Sequence, residues 1–505
     1  MAGILDNLTA RISNLIITGR ANGMSDIQLL QKEIARWKNS PRRVEQIKGH
    51  SYYEGDHDIL RRKRTMIGED GKVEEVSNLP NNRLIDNQYG KLVNQKANYL
   101  LGQPVTFDGE NKAYIEALKE VFNKRFMKVL KNAGKAALNG GIAWLYPYYA
   151  EDGSFAFRLF PGYEVLPFWL DSEHTVLDSA VRLYLVIGYE GTTPRLIEKV
   201  EVFDKRGIHC YVLDGGSLIP DVTLDQYECS YVTGANGQGL NWSKIPLIPI
   251  KYNEQELPLL HKVKTLQDGI NAMLSDFENG MQEDTRNTIL ILKNYDGTNL
   301  GEFRRNLATF GAIKVRDEGD RRGGVETLEI EVNADNYKAI IELFKKAIIE
   351  NGMGYDAKDD RLSGNAPNQM NIQSMYSDID LDANDMETEL QAAFEEILWF
   401  VNAYLANAGK GNFTGEEVTV IFNRDILINE TEAIENCKAS VGILSDETII
   451  GQHPWIDDPQ QELERIKAQR EKEQEEAAEL PGYFPPGNPK GGNEPLPPSN
   501  RGEED

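Results

Sequence analysis

The chain has 505 residues, of which 40% are hydrophobic, and carries a formal net charge of −25. This length predicts roughly three folded units, and the acidity excludes a protein that coats DNA with its whole surface, because affinity for phosphate comes from Lys and Arg. No run of eighteen apolar residues occurs, and Met1–Ala10 lacks the basic and apolar parts of a signal peptide, so we expect a cytosolic product without a membrane anchor.

The first half of the chain reads as helices followed by strands. Apolar residues at helical spacing predict helices over 24–40, 81–101 and 111–139, with Pro41 ending the first. Beyond Gly140-Gly141, β-rich runs separated by turn residues predict strands at Trp144–Tyr149, Phe155–Phe160, Val181–Ile187, Leu196–Phe203 and Ile208–Leu213. This order predicts an α+β region with an antiparallel sheet.

Long helices dominate the stretch from about Glu256 to Leu405. Apolar spacing predicts one helix over Leu259–Met281 and a second that begins near Asn333 or Asp335. A third is predicted from Asn368 to about Ala406, a rod of about 60 Å at about 1.5 Å per residue. Such a length favours packing between domains or against other copies of the chain.

A small sheet is predicted between the first two of these helices, in 279–330. Its strands are Thr288–Leu292 and Ala312–Val315, and Arg316–Gly324 is a polar, glycine-rich turn.

After the long helix the sequence predicts mostly short helices and a tail. The predicted elements are a strand at Val418–Phe422 and helices at Glu430–Ala439, Asp446–Ile450 and Leu463–Glu479. From Leu480 onward, seven prolines and five glycines fall in 26 residues, a composition that predicts disorder.

Charge along the chain is uneven. Residues 1–64 contain 12 Lys+Arg and 7 Asp+Glu, a net charge of +5, so the remainder carries −30. We interpret the basic run Arg61–Arg64 as a solvated helix end or turn in preference to a nucleic-acid contact.

One acidic pattern has the spacing of a calcium loop. Asp378, Asp380, Asp382 and Glu389 occupy positions one, three, five and twelve of an EF-hand, but Ala383 stands where that loop needs glycine. Because the stretch also continues the apolar spacing of the long helix, we interpret it as helix.

No other motif assigns chemistry to the chain. GxxxxGK[ST] is absent, the six histidines show no i,i+4 pairing and the serines lack a GxSxG context. The sequence therefore predicts no catalytic residue, no metal site and no cofactor, and it disfavours an enzyme.

Several short blocks in order along the chain resemble the portal proteins of long-tailed bacteriophages of Gram-positive hosts. The blocks, which span about 50 to 470, are Tyr52-Tyr53-Glu54-Gly55, Asn81-Asn82-Arg83, Val93-Asn94-Gln95-Lys96, Tyr99–Phe107, Lys244–Pro249, Leu292–Gly297, Gly323–Leu328 and Asp458–Ile466.

The resemblance implies a multidomain α+β portal fold assembled as a dodecameric ring. The ring would sit at one capsid vertex and form the channel through which double-stranded DNA enters during packaging and leaves during infection. It implies the following segments: a wing (1–255), stem helices (256–278 and 331–353) around a small α/β clip (279–330), a tunnel loop (354–367), a long kinked helix returning to the wing (368–429), a helical crown (430–475) and an acidic tail (476–505).

The implied partners are other copies of the chain, DNA in transit, the terminase large subunit, a head-tail adaptor, and the major capsid and scaffolding proteins, with no membrane. The implied location is the virion, after assembly in the host cytoplasm, and ATP hydrolysis would come from the terminase. An acidic channel wall would repel the duplex and keep it sliding.

Few basic residues are then expected to face DNA, and the candidates are Lys345, Lys346, Lys358 and Arg361. Solvent exposure or ion pairs between subunits are equally open for them. Three glycines bracket the tunnel loop as possible hinges, with helix capping as the alternative: Gly352, Gly354 and Gly364. In the clip, Arg321 and Arg322 are the candidates for docking the motor or the adaptor.

Two other classes remain open. One is a metal-dependent nucleic-acid-processing enzyme that uses the acidic clusters as ligands, and the other is a scaffold or minor capsid protein that forms no ring. The long helix and the helix-clip-helix order favour the portal over both.

Overall fold

The computed structural model describes residues 26–67, 71–75, 79–150, 152–224, 227–234, 236–284, 289–293, 324–328, 334–356, 369–424, 430–456 and 459–478. The helices are α1 (Asp26–Lys38), α2 (Pro41–Tyr53), α3 (Gln88–Leu101), α4 (Lys112–Val121), α5 (Lys124–Gly140), α6 (Leu260–Asp284), α7 (Ala334–Asn351), α8 (Gln369–Asn407), α9 (Glu430–Ala439), α10 (Asp446–Gly451) and α11 (Pro459–Ala478).

The strands complete the set of elements. They are β1 (Thr65–Ile67), β2 (Val73–Glu75), β3 (Thr106–Asp108), β4 (Ile142–Tyr149), β5 (Phe155–Pro161), β6 (Val165–Trp169), β7 (Leu177–Glu190), β8 (Thr193–Asp204), β9 (Gly207–Asp214), β10 (Ser217–Pro220), β11 (Glu228–Cys229), β12 (Val232–Thr233), β13 (Gly239–Leu240), β14 (Ile248–Lys251), β15 (Ile289–Lys293), β16 (Gly324–Leu328) and β17 (Thr419–Ile421). The α+β class is confirmed.

The chain divides into two compact units. The first contains Met1–Asp360 and Gln373–Ile426, and the second contains Arg361–Ile372 and Leu427–Asp505.

Two helices lie where the sequence predicted only one. Helix α1 confirms the prediction over 24–40, but α2 is not predicted, because a proline after a helical stretch usually indicates only where that helix ends. Pro41 is instead the first residue of α2, whose Ser40 cap accepts a hydrogen bond from the Arg43 N–H. Proline suits this position because its missing N–H has no partner in a first helical turn.

The helix predicted over 111–139 is two helices. Asn123 separates α4 from α5 and caps α5 by accepting hydrogen bonds from the N–H groups of Arg125 and Phe126. Asparagine is favoured as an N-cap for this reason.

The predicted strands belong to two antiparallel sheets. One has the order β14-β4-β5, and the other has the order β10-β9-β8-β7-β6 with β11 also on β9. The long β7–β8 hairpin aligns Ala180 with Phe203 and Glu190 with Thr193.

An aromatic core joins the helices after β3 to the long helix α8. Phe126 packs edge-on against Phe394 with ring centroids 6.2 Å apart, and Phe122 stacks on Phe107 at 4.8 Å. Phe394 also meets Phe422, which follows β17. Because β17 pairs with β3, this core ties the end of α8 back to the first half of the chain.

Helices α6 and α7 lie side by side. Phe277 and Tyr337 meet with ring centroids 5.2 Å apart, and Gly269 leaves room for Phe344, whose ring would lie 3.0 Å from an added Cβ. Between the two helices, β15 pairs antiparallel with β16. The predicted strand Thr288–Leu292 is thus confirmed within one residue, and Ala312–Val315 lies outside the described residues.

The long helix is confirmed at 39 residues, Gln369–Asn407. Its carboxylates settle the calcium-loop pattern, because Asp378, Asp380, Asp382 and Glu389 all lie inside α8, as expected.

The described part of the second unit is helical. Ser445 caps α10 through the Thr448 N–H, and Arg470 of α11 forms an ion pair of 3.6 Å with Asp446. The predicted helices over Glu430–Ala439 and Asp446–Ile450 are confirmed. The predicted tail from Leu480 lies outside the described residues.

Candidate functional site

A row of polar side chains runs along the buried face of α6. Its members recur every four residues, which places them on one side of the helix: Gln267, Asn271, Ser275 and Asn279. All four are almost completely buried, although α6 is otherwise packed through apolar residues. Buried polar groups of this kind need hydrogen-bond partners.

The partners are backbone N–H groups of the extended segment 79–87 and the first turns of α3. The hydrogen bonds run from Asn82 N–H to Asn279 Oδ1 (2.8 Å), from Leu84 N–H to Ser275 Oγ (2.9 Å), from Asp86 N–H to Asn271 Oδ1 (3.1 Å) and from Tyr89 N–H to Gln267 Oε1 (2.9 Å). This row corrects the helix predicted over 81–101, because α3 begins only at Gln88. Side chains of α6 take the N–H groups that a longer helix would have used.

His57 contacts Asn271, one of the two middle residues of the row. Its Nδ1 lies 2.8 Å from the Asn271 amide nitrogen, and its Nε2 lies 2.9 Å from the Tyr52 carbonyl. The ring also stacks on Tyr52, with centroids 4.3 Å apart. Burial lowers the pKa of His57, so the ring is neutral and accepts at Nδ1 while donating from Nε2.

A chain of charges lies beside this row, at the start of α6. Lys264 Nζ contacts Asp58 at 2.8 Å and Asp268 at 2.6 Å, and Lys48 contacts Asp58 at 2.5 Å. Burial opposes the charged form of Asp58, but hydrogen bonds from Lys264 and Lys48 outweigh it and hold the pKa of Asp58 well below its usual range. The pairs fix the Asp58–Arg61 turn against α6.

A buried lysine, Lys96 of α3, joins three elements. Its Nζ lies 2.6 Å from Asp382 Oδ2 of α8 and 2.9 Å from the Met353 carbonyl, which follows α7. The two side chains are 3% and 8% exposed. Burial lowers the pKa of Lys96 to about 8, although Asp382 opposes the shift.

The other carboxylate oxygen of Asp382, Oδ1, has two further contacts. The Tyr252 hydroxyl donates to Oδ1 at 2.7 Å, and Lys262 Nζ lies 3.3 Å from the same atom. Burial and the neighbouring Asp382 raise the pKa of Tyr252 well above its usual range, so it remains a donor. Two residues earlier in α8, Asp380 accepts a hydrogen bond from the Tyr99 hydroxyl at 2.8 Å and pairs with Arg424.

The residues that follow α7 are docked on α3. The Gln95 amide bonds to both the N–H (3.2 Å) and the C=O (2.7 Å) of Tyr355, as a neighbouring strand would. The Tyr355 ring meets Tyr376 of α8 at 4.6 Å, and Tyr376 stacks on Tyr99 at 5.7 Å. Residues just before 357 and residues in the first turns of α8 thus both contact α3.

Two of the predicted hinge glycines, Gly352 and Gly354, lie at the C-terminal end of α7. The Gly352 N–H bonds to Ile348 O and the Gly354 N–H to Ile349 O, both at 2.9 Å, around Met353 at φ +52°, which is the pattern of a helix C-terminal cap. An added Cβ would lie 2.2 Å from Leu92 Cδ2 at Gly352 and 2.5 Å from Leu92 Cδ1 at Gly354. Both glycines thus permit close contact with α3, and Gly364 lies outside the described residues.

Two of the four predicted DNA-facing cations, Lys345 and Lys346, lie in the described residues. Lys345 Nζ is 2.7 Å from Asp86, and Lys346 is exposed and 3.8 Å from Glu350. Lys358 and Arg361, and the docking candidates Arg321 and Arg322, lie outside the described residues.

Sequence reasoning missed the residues that hold this site together. Gln95, Lys96 and Tyr99 fell within the blocks that carried the resemblance, but no role was assigned to them. One pattern in the sequence could have indicated the polar row: polar residues recur every four positions, at 267, 271, 275 and 279, within a helix whose other buried residues are mostly apolar.

The described residues contain no cluster of three or more His, Cys, Asp or Glu side chains placed to hold a metal ion. Nor does any described helix have the length and apolar character needed to cross a membrane.

Comparison with known proteins identifies relatives along nearly the whole chain. The family model "Phage portal protein, SPP1 Gp6-like" matches residues 30–476. The portal protein of Bacillus phage SPP1 is 30% identical over 460 residues, covering 90% of this chain and 88% of that protein. The portal protein of Clostridium phage phiCD119 is 26% identical over 458 residues, covering 86% and 94%.

Two solved structures are also similar. The neck of a native GTA particle, computed with C12 symmetry, matches with a TM-score of 0.36 and 13% identity, covering 72% of this chain and 88% of that one. The neck of an empty GTA particle with C6 symmetry matches with a TM-score of 0.37 and 12% identity over the same shares. On the family match and the two sequence relatives, the chain belongs to the phage portal protein family of the SPP1 type.

Proposed function

We propose that copies of this chain close a ring, most simply a dodecamer, at one vertex of a tailed-phage capsid. Double-stranded DNA passes along the axis of the ring during packaging and again during ejection. The observation that carries the proposal is the family match over residues 30–476, which spans both helix-rich and strand-rich parts of the fold. Native mass spectrometry of the purified chain, with negative-stain images of the same sample, tests it.

The segments take the roles that the family resemblance implies. The wing is 1–255, the stem helices are 256–278 and 331–353, the clip is 279–330 between them, and the crown is 430–475; α6 continues six residues into the proposed clip, to Asp284. The side-by-side packing of α6 and α7 around β15 and β16 supports the stem and clip assignments. The tail is 476–505.

The segment between Tyr355 and α8 contacts DNA in the channel under this proposal. Support comes from its anchors, since Gln95, Lys96 and Tyr99 of α3 hold the chain on both sides of 357–368. Lys345 and Lys346 on α7, and Lys358 and Arg361 within the segment, are the cations proposed to face phosphate. Because Lys345 already pairs with Asp86, Lys346 is the freer of the two on α7.

A segment replacement tests this role without disturbing the anchors. Residues 358–367 are exchanged for a Gly/Ser sequence of equal length, which keeps the reach of the chain but removes its side chains. The expected result is rings that assemble normally but package less DNA or lose it after packaging. Normal packaging and retention by this variant would remove the segment from the DNA path.

Docking of the terminase large subunit and of the head-tail adaptor is assigned to the clip, with Arg321 and Arg322 as contacts. The double variant Arg321→Glu, Arg322→Glu is expected to weaken capture of at least one of these partners while rings persist. Unchanged binding of both would reject the assignment. The major capsid and scaffolding proteins are the remaining proposed partners.

The chain is proposed to catalyse no reaction itself, with ATP hydrolysis supplied by the terminase. It acts in the virion after assembly in the host cytoplasm. Turnover of ATP, or Mg²⁺-dependent or Mn²⁺-dependent cleavage of DNA by the purified chain, would contradict this.

A further inference from the structure

A row of lysines occupies the outer face of α5. Lys124, Lys128 and Lys131 follow one another at spacings of four and three, so they lie on one side of the helix. Lys124 and Lys128 are exposed and Lys131 is half-buried. Within the part of the chain that the structure describes, none of the three forms a hydrogen bond or ion pair, although the chain as a whole carries a net charge of −25.

Two acidic residues seven positions apart, Asp378 and Asp385, form a row on the outer face of α8, and Glu395 lies further along, about 80–100° around the helix from them. Asp378, Asp385 and Glu395 are exposed, and none of them forms an ion pair or accepts a hydrogen bond among the described residues. Leu381 lies between the first two and is 58% exposed. An apolar side chain inside a charged surface gains from being covered by a partner.

The two rows lie on opposite outer sides of one helical layer. The inner face of α5 packs on the inner face of α8, because Phe126 meets Phe394 at 6.2 Å and a Cβ on Gly134 would lie 3.4 Å from Met386. Phe126 is on the side of α5 away from Lys124, Lys128 and Lys131, and Phe394 is on the side of α8 away from Asp378 and Asp385. The layer is therefore basic on one outer surface and acidic on the other.

We propose that the lysine row of one copy docks on the acidic row of the next copy around the ring. A closed ring uses a head-to-tail contact, in which two different surfaces of the same chain meet. The spacings agree, because Lys124 and Lys131, like Asp378 and Asp385, are seven residues apart, or about 10.5 Å along a helix. The inference rests on the proposed ring and names the surfaces that close it.

DNA is the other anion that a lysine row could meet. The acidic row favours the second copy, because it supplies a complementary surface of matching spacing on the same molecule. The test below separates the two.

A charge swap tests the contact. Lys124→Glu with Lys131→Glu places carboxylates opposite Asp378 and Asp385, and like charges at an interface are costly. We expect the protein concentration at which half of the chain is in rings to rise at least roughly tenfold, as measured by native mass spectrometry across a dilution series. Adding Asp378→Lys and Asp385→Lys restores the complementarity and should return this concentration close to the wild-type value.

A matched control shows whether an effect on ring formation comes from the position of the substitutions or only from the change in net charge. Lys112→Glu with Lys205→Glu makes the same change in net charge at two exposed lysines away from the row, and it should leave ring formation unchanged. Circular dichroism of each variant checks that the fold is retained. If rings form again in the fourfold variant, misfolding cannot explain why the double variant lost them.

The outcomes are distinct. Loss of rings in the first variant with rescue in the fourfold variant supports the contact. Intact rings in the first variant, including intact rings that bind DNA more weakly, overturn it, and so does loss without rescue in correctly folded protein. A wild-type sample without rings in the same buffer would contradict the proposed function, and this inference with it.

Discussion

Lys96 and Asp382 are 286 residues apart in sequence and form a buried ion pair of 2.6 Å. The same lysine donates to the carbonyl of Met353 at 2.9 Å. Met353 precedes the proposed DNA-contacting segment and Asp382 follows it. One cation on α3 therefore holds both sides of that segment.

Replacing Lys96 by Met should strongly destabilise the fold. The substitution leaves the Asp382 carboxylate buried without its lysine, and removing one partner of a buried pair costs about 3–5 kcal/mol. Urea denaturation measures the free energy of unfolding. Lys91→Met is the control, because Lys91 is an exposed lysine on the same helix. A cost similar to that of the control would show that the pair contributes little.

The pH dependence of stability should carry the signature of Lys96. Its pKa is about 8 in the folded chain against 10.5 for an ordinary lysine, so between these values the unfolded chain holds a proton that the folded chain has released. Stability then rises with pH in this window, by at most about 1.4 kcal/mol per pH unit, and the lysine penalises folding below it.

The reference for that measurement is the double variant Lys96→Met, Asp382→Leu, which contains neither group. The free energy of unfolding of the wild type relative to this variant should increase from pH 8 to pH 10. A difference that is flat or falls with pH would contradict the assignment.

Asn271→Ala should disrupt the polar row of α6. The amide accepts from the Asp86 N–H and from Gln267, and it lies against His57 Nδ1. Each polar group left buried without a partner costs about 1–3 kcal/mol, so a total loss of at least about 2 kcal/mol is expected in denaturant unfolding. Thr265→Ala, at an exposed position of the same helix, should change little. Equal effects of the two substitutions would refute the role of the row.

Gly352→Ala should destabilise the cap of α7 by overpacking. The new methyl group would lie 2.2 Å from Leu92, which is 2% exposed, and forced overpacking typically costs about 1–3 kcal/mol. Adding Leu92→Ala makes room, so the two substitutions together should cost less than their sum in a double-mutant cycle. Additive costs would mean that the clash is relieved elsewhere.

Gly140 provides a control for the stability cost of Gly352→Ala. Gly140 ends α5, and the nearest atom to a Cβ added there is His50 Nε2 at 3.8 Å. Gly140→Ala should therefore be neutral or slightly stabilising, because it removes freedom from the unfolded chain without a clash. A cost equal to that of Gly352→Ala would point to backbone effects instead of packing.

Periodicity alone predicted the elements whose packing is repetitive. The long helix expected from Asn368 begins at Gln369 and ends at Asn407, and the strands expected near Val181 and Leu196 form the β7–β8 hairpin. Apolar residues at a fixed period were enough in these cases, because each element buries one continuous face.

Prediction was wrong where a distant side chain competes with local structure. Segment 81–87 was predicted to be helical, yet its N–H groups are taken by Ser275, Asn271 and Asn279 of α6, about two hundred residues away in sequence. No local pattern in 81–87 reveals those partners.

The sequence predicted only part of the candidate site. The proposed position of a DNA-contacting segment rests on the resemblance, whereas the buried Lys96 was not predicted at all, because charged residues are rarely buried and the sequence offers no sign of a partner so far away. Lys345, a candidate for facing DNA, pairs with Asp86 within its own chain, which was not among the expected alternatives.

The described residues on both sides of segment 357–368 contact α3, and these contacts set how mechanical load on the segment would travel. Tension on one side would reach α3 through Gln95 and the Met353 carbonyl, and tension on the other through Asp380 and Asp382. Under the proposed function, a pull from a moving duplex would therefore enter the subunit within about two turns of one helix, whichever side of the segment it acts on.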